Sequence, residues 1–142
     1  MSSSTTASPP ENSANVGAAV NPLLTISNET VQLYKQSFGR GPTKVRAMFA
    51  DADTIVILLE DALTAGERTL LDAGADEQLR EFRQVIQNAI EPSLRSIVER
   101  TLGRGTRALI AGIDPGEATA AHVITLAPDP PNHTPGDAST PA

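Results

Sequence analysis

The chain has 142 residues, with 11 Lys and Arg against 17 Asp and Glu, no cysteine and 3% aromatic residues. That length supports one domain, and a net charge of −6 argues against a general nucleic-acid binder. The absence of cysteine excludes disulfides, thiolate metal sites and cysteine nucleophiles.

Residues 1–21 are rich in Ser, Thr, Pro, Asn and Ala, too poor in apolar surface to offset the entropy of ordering, and are expected to form a disordered tail. They lack the basic and apolar regions of a signal peptide. Asn21-Pro22 reads as a helix start, Asn as the cap and Pro where its missing N–H costs nothing. Leu23, Leu24, Ile26, Val31, Tyr34 and Phe38 then recur at helical spacing until Gly39. After the GRGPTK loop, Val45, Ala47 and Phe49 alternate with Arg46 and Met48 as in a strand, and Asp51-Ala52-Asp53 is a turn. TIVILL is apolar on both faces, as a central strand is, yet its run Ile55–Leu59 is far too short to cross a membrane. Thr64 and Glu67 form a capping box for a short helix ending at Gly74. A longer helix begins near Asp76, with Leu79, Phe82, Ile86, Ile90, Leu94, Ile97 and Leu102 as its buried stripe, Gly103 as its stop and a kink expected before Pro92. Thr106–Ile113 and Ala118–Leu126 read as strands joined by Asp114-Pro115-Gly116. Residues 128–142 are a second, Pro-rich tail.

The order α-β-β-α-α-β-β over residues 22–127 predicts a two-layer α+β domain, a four-stranded and mainly antiparallel sheet with helices on one face. This core holds all eleven basic residues and fourteen acidic ones, a net charge of −3.

Little in this core has the pattern of catalysis. His133 sits in the Pro-rich tail, and His122 is mid-strand with no second histidine at ligand spacing, so a structural or exposed role is expected. The pairs Asp51/Asp53, Glu60/Asp61 and Asp114/Glu117 are turn-like and fall short of the six or so oxygens a hard divalent ion takes. Nucleophile elbows, Walker loops and dinucleotide fingerprints are absent. No enzyme activity, cofactor or metal is therefore expected. The one stretch open to a binding reading is GRGPTKVR: Arg40, Lys44 and Arg46 beside glycines form a candidate anion-binding site, for a phosphate of RNA or of a nucleotide. The alternative is a structural joint, with Gly39 closing the helix and the cations serving the helix C-terminus or Glu60 and Asp61. Anion loops usually precede a helix N-terminus, whereas this one follows a C-terminus.

The ordered motifs YKQSFGRGPTKVRA, TIVILLEDALTAGERTLLDAG and REFRQVIQNAIEPSLRSIVERTLGR, followed by a hairpin, resemble the bacterial MpsC family over residues 22–127. The matching positions are Gly39, Arg40, Gly41, Pro42, Leu63, Thr64, Glu67 and Leu70. The resemblance implies a component of a sodium-translocating, membrane-potential-generating system. Having no membrane span, the chain would be a cytoplasmic, non-enzymatic accessory or regulatory subunit, partner of a membrane complex for ion or inorganic-carbon uptake. Neither a nucleic-acid partner nor direct membrane insertion is expected. The doubly apolar TIVILL strand demands cover on two sides, which predicts a homodimer, with Val85, Ala89 and Val98 of the long helix as a second seam.

Overall fold

A computed structural model describes residues 21–128, so the two expected tails lie, but for Asn21 and Pro128, outside the described residues. The elements are α1 (Pro22–Phe38), β1 (Lys44–Asp51), β2 (Thr54–Glu60), α2 (Ala65–Asp72), α3 (Asp76–Leu102), β3 (Thr106–Asp114), a 3-10 turn (Pro115–Glu117) and β4 (Thr119–Leu126). This is the expected α+β order. The four strands lie in the order β1-β2-β4-β3 and every pairing is antiparallel.

Local chemistry sets the boundaries. The Asn21 side chain accepts from the Leu23 and Leu24 N–H groups, and Gly39 ends α1 at φ 86°, a left-handed conformation suited to glycine. Thr64 and Glu67 form the reciprocal capping box of α2. The helix α3 continues through Pro92 to Leu102 as one element.

Strand alternation makes two unlike sheet faces. Ile55, Ile57 and Leu59 of β2, with Ala120, Ile124 and Leu126 of β4, point inward and pack against Ile26 and Tyr34 of α1 and Ile90, Leu94, Ile97 and Val98 of α3. The helical layer therefore lies on this face. Register places Met48, Val56, Leu58, Val123 and Ile110 on the opposite face, where Met48 and Ile110 are exposed and Val56, Leu58 and Val123 are half-buried. Among the described residues no helix covers it.

Three expectations change. Phe82 is 44% exposed and its neighbour Arg83 is buried instead, because the N-terminal turns of α3 face α2 and the loop before it rather than the aliphatic side of the sheet. Phe49, paired with the inward-facing Ile55 just before the register shift at the end of β1, is exposed rather than buried. Val98 is fully buried in the core, so it cannot belong to a second seam, whereas Val85 and Ala89 are exposed.

The outer edge of β3 is guarded from α3: Arg80 donates to the Ile113 carbonyl and Arg95 to that of Arg107. Charged groups at an edge discourage pairing with another strand.

Candidate functional site

The GRGPTKVR loop is stitched into the fold. Arg40 donates through Nη1 to the carbonyls of Asp61 (3.0 Å) and Leu63 (2.6 Å) and through Nη2 to the Asp61 carboxylate (3.0 Å). Arg46 pairs with Glu60 across the β1–β2 ladder, and Lys44 is exposed at the start of β1. A Cβ on Gly41 would meet Val31 Cγ1 at 3.1 Å and the Val31 carbonyl at 3.2 Å, so glycine lets the loop lie close on α1. Pro42 is buried. The three cations thus do not converge on one free anion site, since two of them are engaged with acids of β2 and the following loop.

Both motifs meet at the corner Asp61–Thr64. Asp61 holds a left-handed backbone (φ 54°), and its carboxylate receives Arg40 and Arg68. The Arg40 hydrogen bond, followed in effect by its charge and by Arg68, holds the Asp61 carboxyl below the usual carboxylate range. Leu63 is buried with Leu79 and Ala118, and Leu70 packs against them. Glu67 closes the capping box and, at 2% exposure, receives the buried Arg83 at 3.2 Å.

Arg83 is the centre of a polar constellation that periodicity conceals. Its Nη1 serves the Ala62 carbonyl and both Glu67 oxygens, and its guanidinium carbon lies 4.4 Å from the Phe38 ring centroid. Its Nε and Nη2 are buried and have no partner. One helical turn on, Gln87 Nε2 donates to the Tyr34 hydroxyl, which lies 2.9 Å from His122 Nε2. His122 Nδ1 is buried without a partner; with the imidazole proton there, Tyr34 accepts from Gln87 and donates to His122, whereas the other tautomer would leave the Tyr34 proton without an acceptor as well. Burial and then the Arg83 charge lower the His122 pKa to about 4, so the ring is neutral, and burial raises that of Tyr34.

A cavity of about 250 Å³ opens beside this constellation, between α3 and β3, lined by Arg80, Arg83, Gln84, Gln87, Ala111 and Ile113 among others. A wider, shallower groove of about 600 Å³ runs between α1 and α3 and is crossed by the Arg100–Glu29 ion pair. Among the described residues no three His, Cys, Asp or Glu side chains are grouped to hold a metal ion. The acids weighed as ligands have local duties: Asp51 and Asp114 cap turns, and Asp53 receives Arg104.

Sequence reasoning placed His122 but missed Arg83, Gln87 and Tyr34 as its companions. One signal existed: Arg83 stands four residues after Leu79, a slot where the stripe of α3 calls for an apolar side chain.

The fold and this corner define a two-layer α+β domain whose signature residues bind the chain to itself. A family model described as "Na+-translocating membrane potential-generating system (MpsC)" matches residues 24–128, and the chain belongs to that family. No curated protein and no solved structure matches it. Among the described residues no helix is long and apolar enough to cross a membrane.

Proposed function

We infer that the chain is a non-enzymatic accessory or regulatory domain of a membrane-associated ion or inorganic-carbon transport system, working in the cytoplasm through protein contacts. The observation that carries this reading is the helix-free sheet face, where Met48, Val56, Leu58, Ile110 and Val123 lie side by side. Contiguous apolar patches on soluble proteins mark interaction sites. The family description supplies the membrane context.

The occupant of that face is a second copy of the chain. Arg46 and Glu60 on this face are paired with one another, and Lys44 lies opposite Glu60 at its far end from the Met48–Val56 patch, so the middle of the surface asks for a flat, apolar counterpart. A second copy supplies such a face at equal concentration, and sheets stack face to face at about 10 Å. Sedimentation velocity should show a dimer at tens of micromolar that Ile110→Glu converts to a folded monomer. A wild-type monomer under those conditions refutes self-association. Purification of the chain with its neighbours from native membranes tests the wider role, and recovery only in the soluble fraction without a transport protein counts against it.

The alternative, an RNA- or nucleotide-phosphate-binding module built on Arg40, Lys44 and Arg46, is disfavoured by the engagement of Arg40 with Asp61 and of Arg46 with Glu60. Salt-sensitive RNA binding lost in an Arg40→Ala/Lys44→Ala variant would restore it.

A further inference from the structure

We propose that the outer side of α3, with the hollow it shares with α2, docks a cationic amphipathic helix, a Lys- and Arg-rich segment of a membrane protein. This surface is separate from the open sheet face. That the helix belongs to a membrane protein rests on the function inferred above; the chemistry of the surface does not.

The first observation is a second apolar stripe on α3, beside the one it buries. Phe82 is 44% exposed and Val85 67%, and Ala89 is exposed next to them. Their spacing of i, i+3 and i+7 puts them on one side of the helix. Pro92, at i+10, carries the line into the groove between α1 and α3. The stripe is ~15 Å long, about three turns of a helix laid alongside. At its near end Phe82 walls a hollow of about 240 Å³ with Thr64, Gly66 and Leu70. That is more than the roughly 150 Å³ that admits a benzene ring. The backbone of α3 is bonded within the helix, so the surface offers no ladder to an extended peptide. An occupant must satisfy its own backbone, as a helix does.

The second observation is charge. Residues 65–91 hold six acidic and three basic residues, against eight and eight in the rest of 22–127, so the whole net charge of the core lies in this region. Asp72, Asp76, Glu77 and Glu81 are exposed and enter none of the seven ion pairs among the described residues. Asp76 and Glu77 suit the N-terminus of α3. Asp72, however, closes α2 at its negative end, and Glu81 lies past the first turn of α3, so helix stability explains neither. Glu77 and Glu81 stand eight and four residues before Val85 and edge the stripe.

An apolar stripe edged by unpaired carboxylates is complementary to an apolar stripe edged by Lys or Arg. A second copy answers it poorly, because seven of its eleven cations are already in ion pairs. An anionic lipid surface repels it. Membrane proteins carry an excess of Lys and Arg in the cytoplasmic segments flanking their spans, and these supply the matching charge.

The test titrates the full chain against a labelled peptide of about 18 residues, leucines at i, i+3, i+4 and i+7 and lysines elsewhere, by fluorescence anisotropy. Micromolar binding that weakens with salt is expected, with about ten-fold weaker binding of the same composition in scrambled order. Val85→Ser and Glu81→Lys, both on exposed side chains, should each weaken binding about five-fold. Asp51→Lys, the same change of net charge at the β1–β2 turn, should change it less than about two-fold. Equal binding of the scrambled peptide, or equal loss in Asp51→Lys, overturns the proposal. So does a drop in sedimentation coefficient with Val85→Ser, which would assign the stripe to a second copy. The affinity is measured on the purified chain, so it stands or falls separately from the sheet-face dimer and from recovery with membranes. The source is read with Val85→Cys, the sole cysteine of that variant, crosslinked in native cells. The attached peptide should be a Lys- and Arg-rich segment beside a membrane span, and attachment to a second copy or to an acidic segment refutes that source.

Discussion

Two arginines grip the same corner of the molecule from different surroundings. Arg40 reaches Asp61 and the Leu63 carbonyl from the loop, with both partners' side chains 37% exposed. Arg83 reaches Glu67 and the Ala62 carbonyl from α3, with side-chain exposures of 3% and 2%. The bonds are similar in length, but the solvent is not. An exposed pair is screened and contributes little, whereas a buried charge that loses its partner stays uncompensated in a poorly polarisable interior. The motif that resembles a phosphate loop is thus the weaker anchor, and the residue inside an apolar stripe is the stronger one.

The sharpest way to break the comparison is at Glu67. Glu67→Ala strands the buried Arg83 charge and removes half of the capping box, and should cost about 3–5 kcal/mol in urea unfolding. The double variant Arg83→Met/Glu67→Gln should regain much of that loss, since apolar replacement of a buried pair is often neutral. A loss under about 1 kcal/mol for Glu67→Ala would show that the pair is not isolated from water.

The next effect is a pH dependence rooted in the same region. His122 titrates at about 4 when folded, against an ordinary value of 6.5. Between those values the unfolded chain binds a proton that the folded chain does not, so stability falls as pH drops from 6.5 to 4, by roughly 3 kcal/mol. Asp61 acts at the acid end. Its folded pKa is depressed, so its contribution is present above the ordinary carboxylate range and disappears as pH falls through the lowered value. Unfolding free energies across pH 4–6.5 should show a flatter slope in His122→Gln than in the wild type, and equal slopes would refute the assignment.

Smaller effects belong to the loop. Gly39→Ala introduces a Cβ at φ 86° with no atom within 4 Å of it, so the cost is backbone strain alone, about 1 kcal/mol by thermal unfolding. Arg40→Ala should cost at most about 1 kcal/mol, and that loss should shrink in 1 M salt while the Glu67→Ala loss does not. Lys44→Ala, at an exposed position, should change stability by less than about 0.5 kcal/mol.

Much of this fold was legible in the chain. Asn21, Gly39, Thr64 with Glu67, and Gly103 mark helix ends through bonds made within a few residues, and the continuous apolar run of TIVILL, filling both faces, identifies a central strand from its own side chains. Those signals are local, so a linear reading captures them. The identity of the partners was decided only in three dimensions. Arg40 meets Asp61 21 residues away, Tyr34 meets His122 88 residues away, and Arg83 displaces Phe82 from the interior because α2 and Glu67 stand opposite that turn of α3. Periodicity tells which side chains share a face of a helix. What that face meets, aliphatic sheet or a waiting carboxylate, depends on how distant segments pack, and packing decided where this protein buries its charge.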